Sequence, residues 1–379
     1  MRTLALLVSI ASLTACAATS SSPPVTVTTE QGSVQAATST APPRARADAK
    51  APAAPTDENY RGALSKAYAD VRGDASGKNA DYIPALAKVD SKLFGITLTT
   101  VDGAIYEVGA TRENFSIQSV SKVFTLARAI EVLGADAVEK QVGVNATGMA
   151  FNSIIAVEDN RAAKRPPPGN PLVNPGAIAT VALLPATTAD ERWNQILSTH
   201  SAFAGRQLNV NQEVYKSESD TNTRNRAIGM LLHAYEVIKD DPEAAVDVYT
   251  RQCSINVTSR DLAVMGATLA NGGRNPLTEQ QVVKPETAAR VLAVMGTAGL
   301  YETTGAWMFE VGAPAKSGVG GGIVAVVPGK FAIGTFSPPL DEAGNSVRGQ
   351  KAIASIISQL GANPLAAAPR AEQEAAKQP

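Results

Sequence analysis

Near both ends of the chain, hydrophobic and polar positions alternate with the period of two expected of strands. Residues 94–100 and 104–109 flank Asp102-Gly103, a two-residue hairpin signal, and residues 323–327 and 330–336 flank Pro328-Gly329. Between these hairpins the apolar positions recur with a helical period. The spacing predicts helices over 120–133, stopping at Gly134, over 226–238, and over 259–270, stopping at Asn271-Gly272-Gly273. A last helix is expected over about 346–360. This distribution predicts an α+β fold, with one sheet flanked by helices and built from about 57–118 and 300–363, and a helical lobe over about 119–299. The polar segment 159–169, containing Pro166-Pro167-Pro168, has to run over the surface, either edging a cleft or as a neutral insertion.

The pattern lapses at the two ends. Residues 1–15 carry one Arg and then a short apolar run, too short to span a bilayer, and read as a signal peptide. Leu13-Thr14-Ala15-Cys16 resembles the bacterial lipobox, which makes Cys16 the expected lipidation site and membrane anchor. The Ala at position 17 favours the outer membrane of the periplasm. Residues 16–56 are mostly Ala, Ser, Thr and Pro, a composition that cannot be buried, so they are read as a disordered linker, and 364–379 as a disordered tail. The expected folded part is 57–363.

Composition narrows the chemistry. The 379 residues carry a formal net charge of -1 with dispersed basic residues, which excludes the electrostatic footprint of a nucleic-acid binder. Two Cys and two His, far apart, leave no basis for a structural zinc site. Cys253, the only thiol of the folded part, reads as a small apolar core residue.

Ser119-Val120-Ser121-Lys122 opens the first predicted helix, and a separation of three puts the alcohol and the amine on one face. A helix N-terminus favours developing negative charge. Serine is a weak nucleophile without an adjacent base, and lysine is a base only when neutral, so burial or a second cation must lower its pKa. Lys316-Ser317-Gly318 just before the strand expected at 323–327 adds a second motif, because serine acyl-enzymes of the penicillin-binding type pair S-x-x-K with a K-[ST]-G on a sheet edge. Such an edge offers backbone amides to an oxyanion. Glu218, seven residues before Asn225, is a candidate for binding a substrate ammonium.

With these motifs the sequence resembles the serine-dependent glutaminases, whose fold is like that of β-lactamases and penicillin-binding proteins. The likeness runs from Asp81-Tyr82-Ile83-Pro84 through Ser116-Ile117-Gln118-Ser119-Val120-Ser121-Lys122, Gly148 to Ser153 and Asn170-Pro171-Leu172-Val173-Asn174. It continues through Ser217-Glu218, Arg224-Asn225-Arg226, Tyr249, Gln252-Cys253-Ser254 and Gly299-Leu300-Tyr301 to Pro314 through Gly322. The resemblance implies hydrolysis of L-glutamine to glutamate and ammonia, with Ser119 as nucleophile and Lys122 as general base. It places Tyr82, Asn174, Glu218, Asn225, Tyr249, Tyr301 and Val319 in contact with substrate, Val319 through its backbone in an oxyanion hole shared with Ser119. Either Tyr249 or Tyr301 passes a proton to the leaving ammonia. No metal or organic cofactor is implied, and similar glutaminases form homodimers or homotetramers. Asn174 is followed by Pro175 where the family usually has Ala, a change that the first turn of a helix accommodates. Two rival readings are a β-lactamase or D,D-peptidase using the same pair, and a catalytically inert lipoprotein that binds amino acids.

Overall fold

The computed structural model describes residues 55–366. The expected signal peptide, the lipidated Cys16, the linker up to residue 54 and the tail from residue 367 lie outside the described residues.

Among the described residues there are seven strands: β1 (Gly95–Thr100), β2 (Ile105–Gly109), β3 (Phe115–Ser116), β4 (Asn256–Val257), β5 (Ala315–Gly318), β6 (Gly322–Val327) and β7 (Phe331–Phe336). Five of them form an antiparallel sheet in the order β2-β1-β7-β6-β5. The two expected hairpins are therefore joined edge to edge through β1 and β7, so the sheet is assembled from both ends of the sequence. The fold is thus an open antiparallel sheet flanked by helices, in keeping with the α+β expectation.

β1, β6 and β7 are buried along their whole length because both faces of the sheet are covered. On one face Ile96, Leu98, Ile323, Ala325, Phe331 and Ile333 pack with Leu64 of the helix Asp57–Val71 and with Ile353 and Ile356 of the helix Val347–Gln359. On the other lies the helix Ser259–Ala270, almost wholly buried. It comes very close: a Cβ on Gly334 would sit 2.2 Å from the Ser259 carbonyl oxygen, and one on Gly266 would sit 2.6 Å from Val324 Cγ2. Glycine at these two positions sets the distance between helix and sheet.

Helices between β3 and β5 build the rest of the core around Ser121–Leu133, in which Val123, Phe124, Leu126, Ala127 and Ala129 are fully buried. One local expectation is corrected, and two others are made specific. The helix expected over 226–238 is Thr223–Ala234, since Glu236 adopts a left-handed φ of 59° and turns the chain so that Val237 and Ile238 donate back to the Leu232 carbonyl. Lys316-Ser317-Gly318 does not merely precede a strand; it is the edge strand β5, and Gly320-Gly321 makes the turn into β6, with Gly321 at φ 96°. The segment 159–169 begins inside the helix Ile154–Ala162, and none of it lines the cleft described below.

Candidate active site

The chain reaches Ser119 along a pinned path. β3 pairs with β4, Phe115 stacks on Phe336 with ring centroids 4.1 Å apart, and the Ile117 amide donates to the Ile255 carbonyl at 2.8 Å. Gln118 follows with a left-handed φ of 49°, a conformation costly for a non-glycine residue and most often kept at functional sites. Ser119 itself lies in a tight 3-10 turn, Gln118–Val120, and the α-helix starts only at Ser121. The helix expected over 120–133 thus starts one residue later, and Ser119 sits in the 3-10 turn that leads into it. Ser121 secures the junction: its hydroxyl donates to the Gln118 carbonyl at 2.6 Å and accepts from Gln252 Nε2 at 3.0 Å.

Lys122 Nζ lies 2.6 Å from Ser119 Oγ and 2.7 Å from Asn174 Oδ1, and the side chain is buried. Burial lowers the pKa of this amine to about 8, opposed by the Cys253 and Glu218 groups nearby, whose negative forms favour the ammonium. Asn174 is fixed in turn, with Nδ2 donating to Asn225 Oδ1 at 2.9 Å and Oδ1 accepting also from the Tyr249 hydroxyl at 3.0 Å. Asn174 begins the helix Asn174–Leu183, where Pro175 occupies the first turn, and a Cβ on Gly176 would lie 1.7 Å from the Asn170 carbonyl oxygen. Only glycine lets this helix approach closely enough to bring Asn174 to Lys122.

β5 approaches the nucleophile turn from the opposite side. A Cβ on Gly318 would lie 2.7 Å from the Ile117 carbonyl oxygen and 3.1 Å from the Ser119 nitrogen. Val319 therefore follows directly beside Ser119, and its amide donates to no turn or loop carbonyl among the described residues. Lys316, fully buried, donates to the Ser317 carbonyl at 2.7 Å, and its Nζ stands 4.0 Å from the centre of the Tyr301 ring. Burial holds this amine well below its usual pKa, with the charge of Lys122 adding to the effect. Tyr301 has a left-handed φ of 58° and packs on Phe151 at 4.8 Å between centroids. Burial raises the Tyr301 phenol to about 12, opposed by hydrogen bonding to Ser119 and Ser317. Tyr249 is raised well above its ordinary value, again by burial.

Part of this cluster lines a cleft of about 290 Å³, at the small end of the range for ligand cavities, whereas Lys122, Lys316 and Tyr301 are not part of its wall. Its wall includes Ser119, Tyr82, Asn174, Glu218, Asn225, Tyr249 and Val319; Tyr82 is half-exposed at the mouth and Glu218 is buried at the base. Burial raises Glu218 to about 7, although Gln118 Nε2 donates to its Oε2 at 3.1 Å and Lys122 also favours the carboxylate. A roomier cleft of about 550 Å³, walled in part by Arg72, Lys78 and Arg348, has none of this cluster, so size does not locate the chemistry. Motif reading assigned no role to Gln118, Phe151, Asn152, Asn222 and Arg224, all of which line the small cleft. Gln118 and Arg224 sit inside quoted motifs, beside Ser119 and Asn225, but nothing in the sequence shows that their side chains turn toward a common space.

An alcohol within bonding distance of a buried amine, beside the edge of a β-lactamase-like sheet, defines a serine acyl-transfer hydrolase. A profile described as glutaminase matches residues 77–364. A glutaminase of Colwellia psychrerythraea is 53% identical over 315 residues, covering 83% of this chain and 99% of that protein. One of Brucella canis is 50% identical over 308 residues, covering 81% and 96%. Among solved structures, a probable glutaminase, ybaS, superposes with a TM-score of 0.79 at 46% identity over 82% of this chain and 99% of its own. That of Mglu in its glutamate form gives 0.76 at 37% identity over 82% and 70%. The chain belongs to the glutaminase family.

Proposed function

We propose that Ser119 and Lys122 carry out the family's reaction here, the hydrolysis of L-glutamine to L-glutamate and ammonia through a serine acyl-enzyme. The observation that carries the assignment is the 2.6 Å separation of Lys122 Nζ and Ser119 Oγ, with the lysine buried.

Neutral Lys122 takes the Ser119 proton as Oγ attacks the side-chain carboxamide carbon. One N–H of the amine stays on Asn174 Oδ1, which aims the lone pair at Ser119. The tetrahedral oxyanion lies between the backbone amides of Ser119 and Val319. Tyr249 or Tyr301 relays a proton to departing ammonia; the Tyr249 hydroxyl lines the cleft and is bonded to Asn174, and the Tyr301 hydroxyl is bonded to the Ser317 carbonyl. The C–N bond breaks to leave a γ-glutamyl ester on Ser119, and water, activated by the same amine, hydrolyses it. Glu218 receives the α-ammonium group, whose positive charge favours the carboxylate that burial disfavours. Tyr82 and Asn225 complete the substrate's surroundings at the mouth. The glutamate form of the similar Mglu supports an amino-acid site in this fold.

Ammonia release from glutamine by the purified protein, abolished in Ser119→Ala, tests the assignment. Glutamine binding without turnover in the unmutated chain would instead support an inert binding protein, and turnover of a chromogenic cephalosporin but not of glutamine a β-lactamase.

The sequence motif at Cys16 supports a lipid-anchored enzyme of the bacterial periplasm, held on the outer membrane, and the family resemblance supports a homodimer or homotetramer. Cys16→Ser releases the enzyme from the membrane fraction on this reading, and retention there would refute it. Light scattering of the soluble domain reads the subunit number.

A further inference from the structure

The cleft wall contains two charged side chains among the described residues, Glu218 and Arg224. They lie at different depths. Glu218, on the helix Gln212–Thr221, is buried beside Gln118 at the base. Arg224, on the helix Thr223–Ala234, is exposed, and its Nε donates to the Asn152 carbonyl oxygen at 2.9 Å, tethering the guanidinium to the Phe151-Asn152 segment, which also lines the cleft. A free α-amino acid carries one positive and one negative group on the same carbon, and this cleft offers one negative and one positive group, with the carboxylate deeper. Tyr82, Asn174 and Asn225 supply hydrogen bonds but no charge.

We infer that Arg224 is a specificity-determining residue that reads the free α-carboxylate of the substrate, so that the enzyme selects free glutamine over glutamine whose carboxylate is tied up in an amide or peptide bond. The inference rests on the proposed glutamine site. With Nε tethered to Asn152, the guanidinium keeps its outer N–H groups for a carboxylate, a planar acceptor that matches its fork. Asn225, the next residue on the same helix, has its Oδ1 bonded to Asn174 and cannot supply a charge. Because Arg224 is exposed, the pairing is modest and sensitive to salt.

The test compares L-glutamine with its α-N-methylamide, from which ammonia can come only from the side chain, using the unmutated enzyme, Arg224→Gln and Arg224→Lys. Arg224→Gln raises KM for glutamine about five-fold, the equivalent of about 1 kcal/mol, without changing kcat. It leaves KM for the methylamide within about two-fold, and Arg224→Lys retains most of the affinity for glutamine. Raising the salt from low to high ionic strength increases KM for glutamine in the unmutated enzyme and not in Arg224→Gln. An equal rise of KM for both substrates would show that Arg224 only pins the Asn152 segment, and would overturn the inference, as would an unchanged KM for glutamine. Failure of the unmutated enzyme to release ammonia from glutamine would sink the glutamine site itself, a result distinct from either of these.

Discussion

The dependence of the acylation rate on pH is fixed by the burial of Lys122. With the amine at a pKa of about 8, about 1% of the bound enzyme holds it neutral at pH 6, about 9% at pH 7 and about 90% at pH 9. The single-turnover rate at saturating glutamine therefore climbs about ninety-fold between pH 6 and pH 9 and levels off above pH 9. A lysine at its ordinary value of 10.5 would be neutral in only about 3% of molecules at pH 9, and the rate would still rise about ten-fold per pH unit there. The bend near pH 8 is thus the signature of a desolvated amine, and at pH 7 desolvation multiplies the competent fraction about 300-fold. Stopped-flow measurement of ammonia release, or acyl-enzyme trapping across this range, reads the bend directly. Lys122→Arg supplies the second arm: a guanidinium stays protonated and cannot accept the Ser119 proton, so acylation falls about 10³-fold while KM changes little. A rate that is flat from pH 6 to pH 9, or an Arg variant retaining a tenth of the activity, would refute the role of the neutral amine.

Two further outcomes follow from the same geometry. Glu218 has a folded pKa of about 7 against an ordinary 4.5, so the fold binds this proton more tightly than the unfolded chain does, and stability is lost as pH rises from about 4.5 to about 7. Glu218→Gln removes that penalty: urea unfolding shows the variant more stable than the parent by up to roughly 3 kcal/mol at pH 8, with the gap closing toward pH 4.5, while KM for glutamine rises about 100-fold. A variant less stable at pH 8 would show that Glu218 is not a desolvated charge. Gly318→Ala places a methyl 2.7 Å from the Ile117 carbonyl oxygen, which forces β5 away from the Ser119 turn. The loss of Val319 as oxyanion donor lowers kcat about 10²-fold, measured by ammonia release, with KM much less affected; an unchanged kcat would remove Val319 from the oxyanion hole.

The chain's local rules were legible because they act over a few residues. Period-two alternation around Asp102-Gly103 and Pro328-Gly329 located both hairpins, and Gly134 marked a helix end, since turn chemistry and helix termination are read from the residues that make them. Reading 226–238 as one helix failed because periodicity could not anticipate the left-handed Glu236, where the tertiary bonds to the Leu232 carbonyl override helix propensity. Strand β5 was legible only through its K-[ST]-G motif and not through alternation, because Lys316-Ser317-Gly318 is short and polar by composition; its burial comes from its partner β6 and from the nucleophile turn, both external to the segment.

By itself the sequence singled out the proposed reacting pair, for an alcohol and an amine three residues apart can share one face of a helical turn, and it pointed to the family through the order of its motifs. Tertiary structure alone decided that this amine is buried, which is what lets it serve as the proposed base, because the groups that close over Lys122, Asn174 and the Tyr249 ring among them, come from helices remote in the chain. It also decided that Glu218 and Arg224 face one cleft from different depths. Charge state and mutual orientation depend on distances through space, and those exist only once the chain has closed on itself.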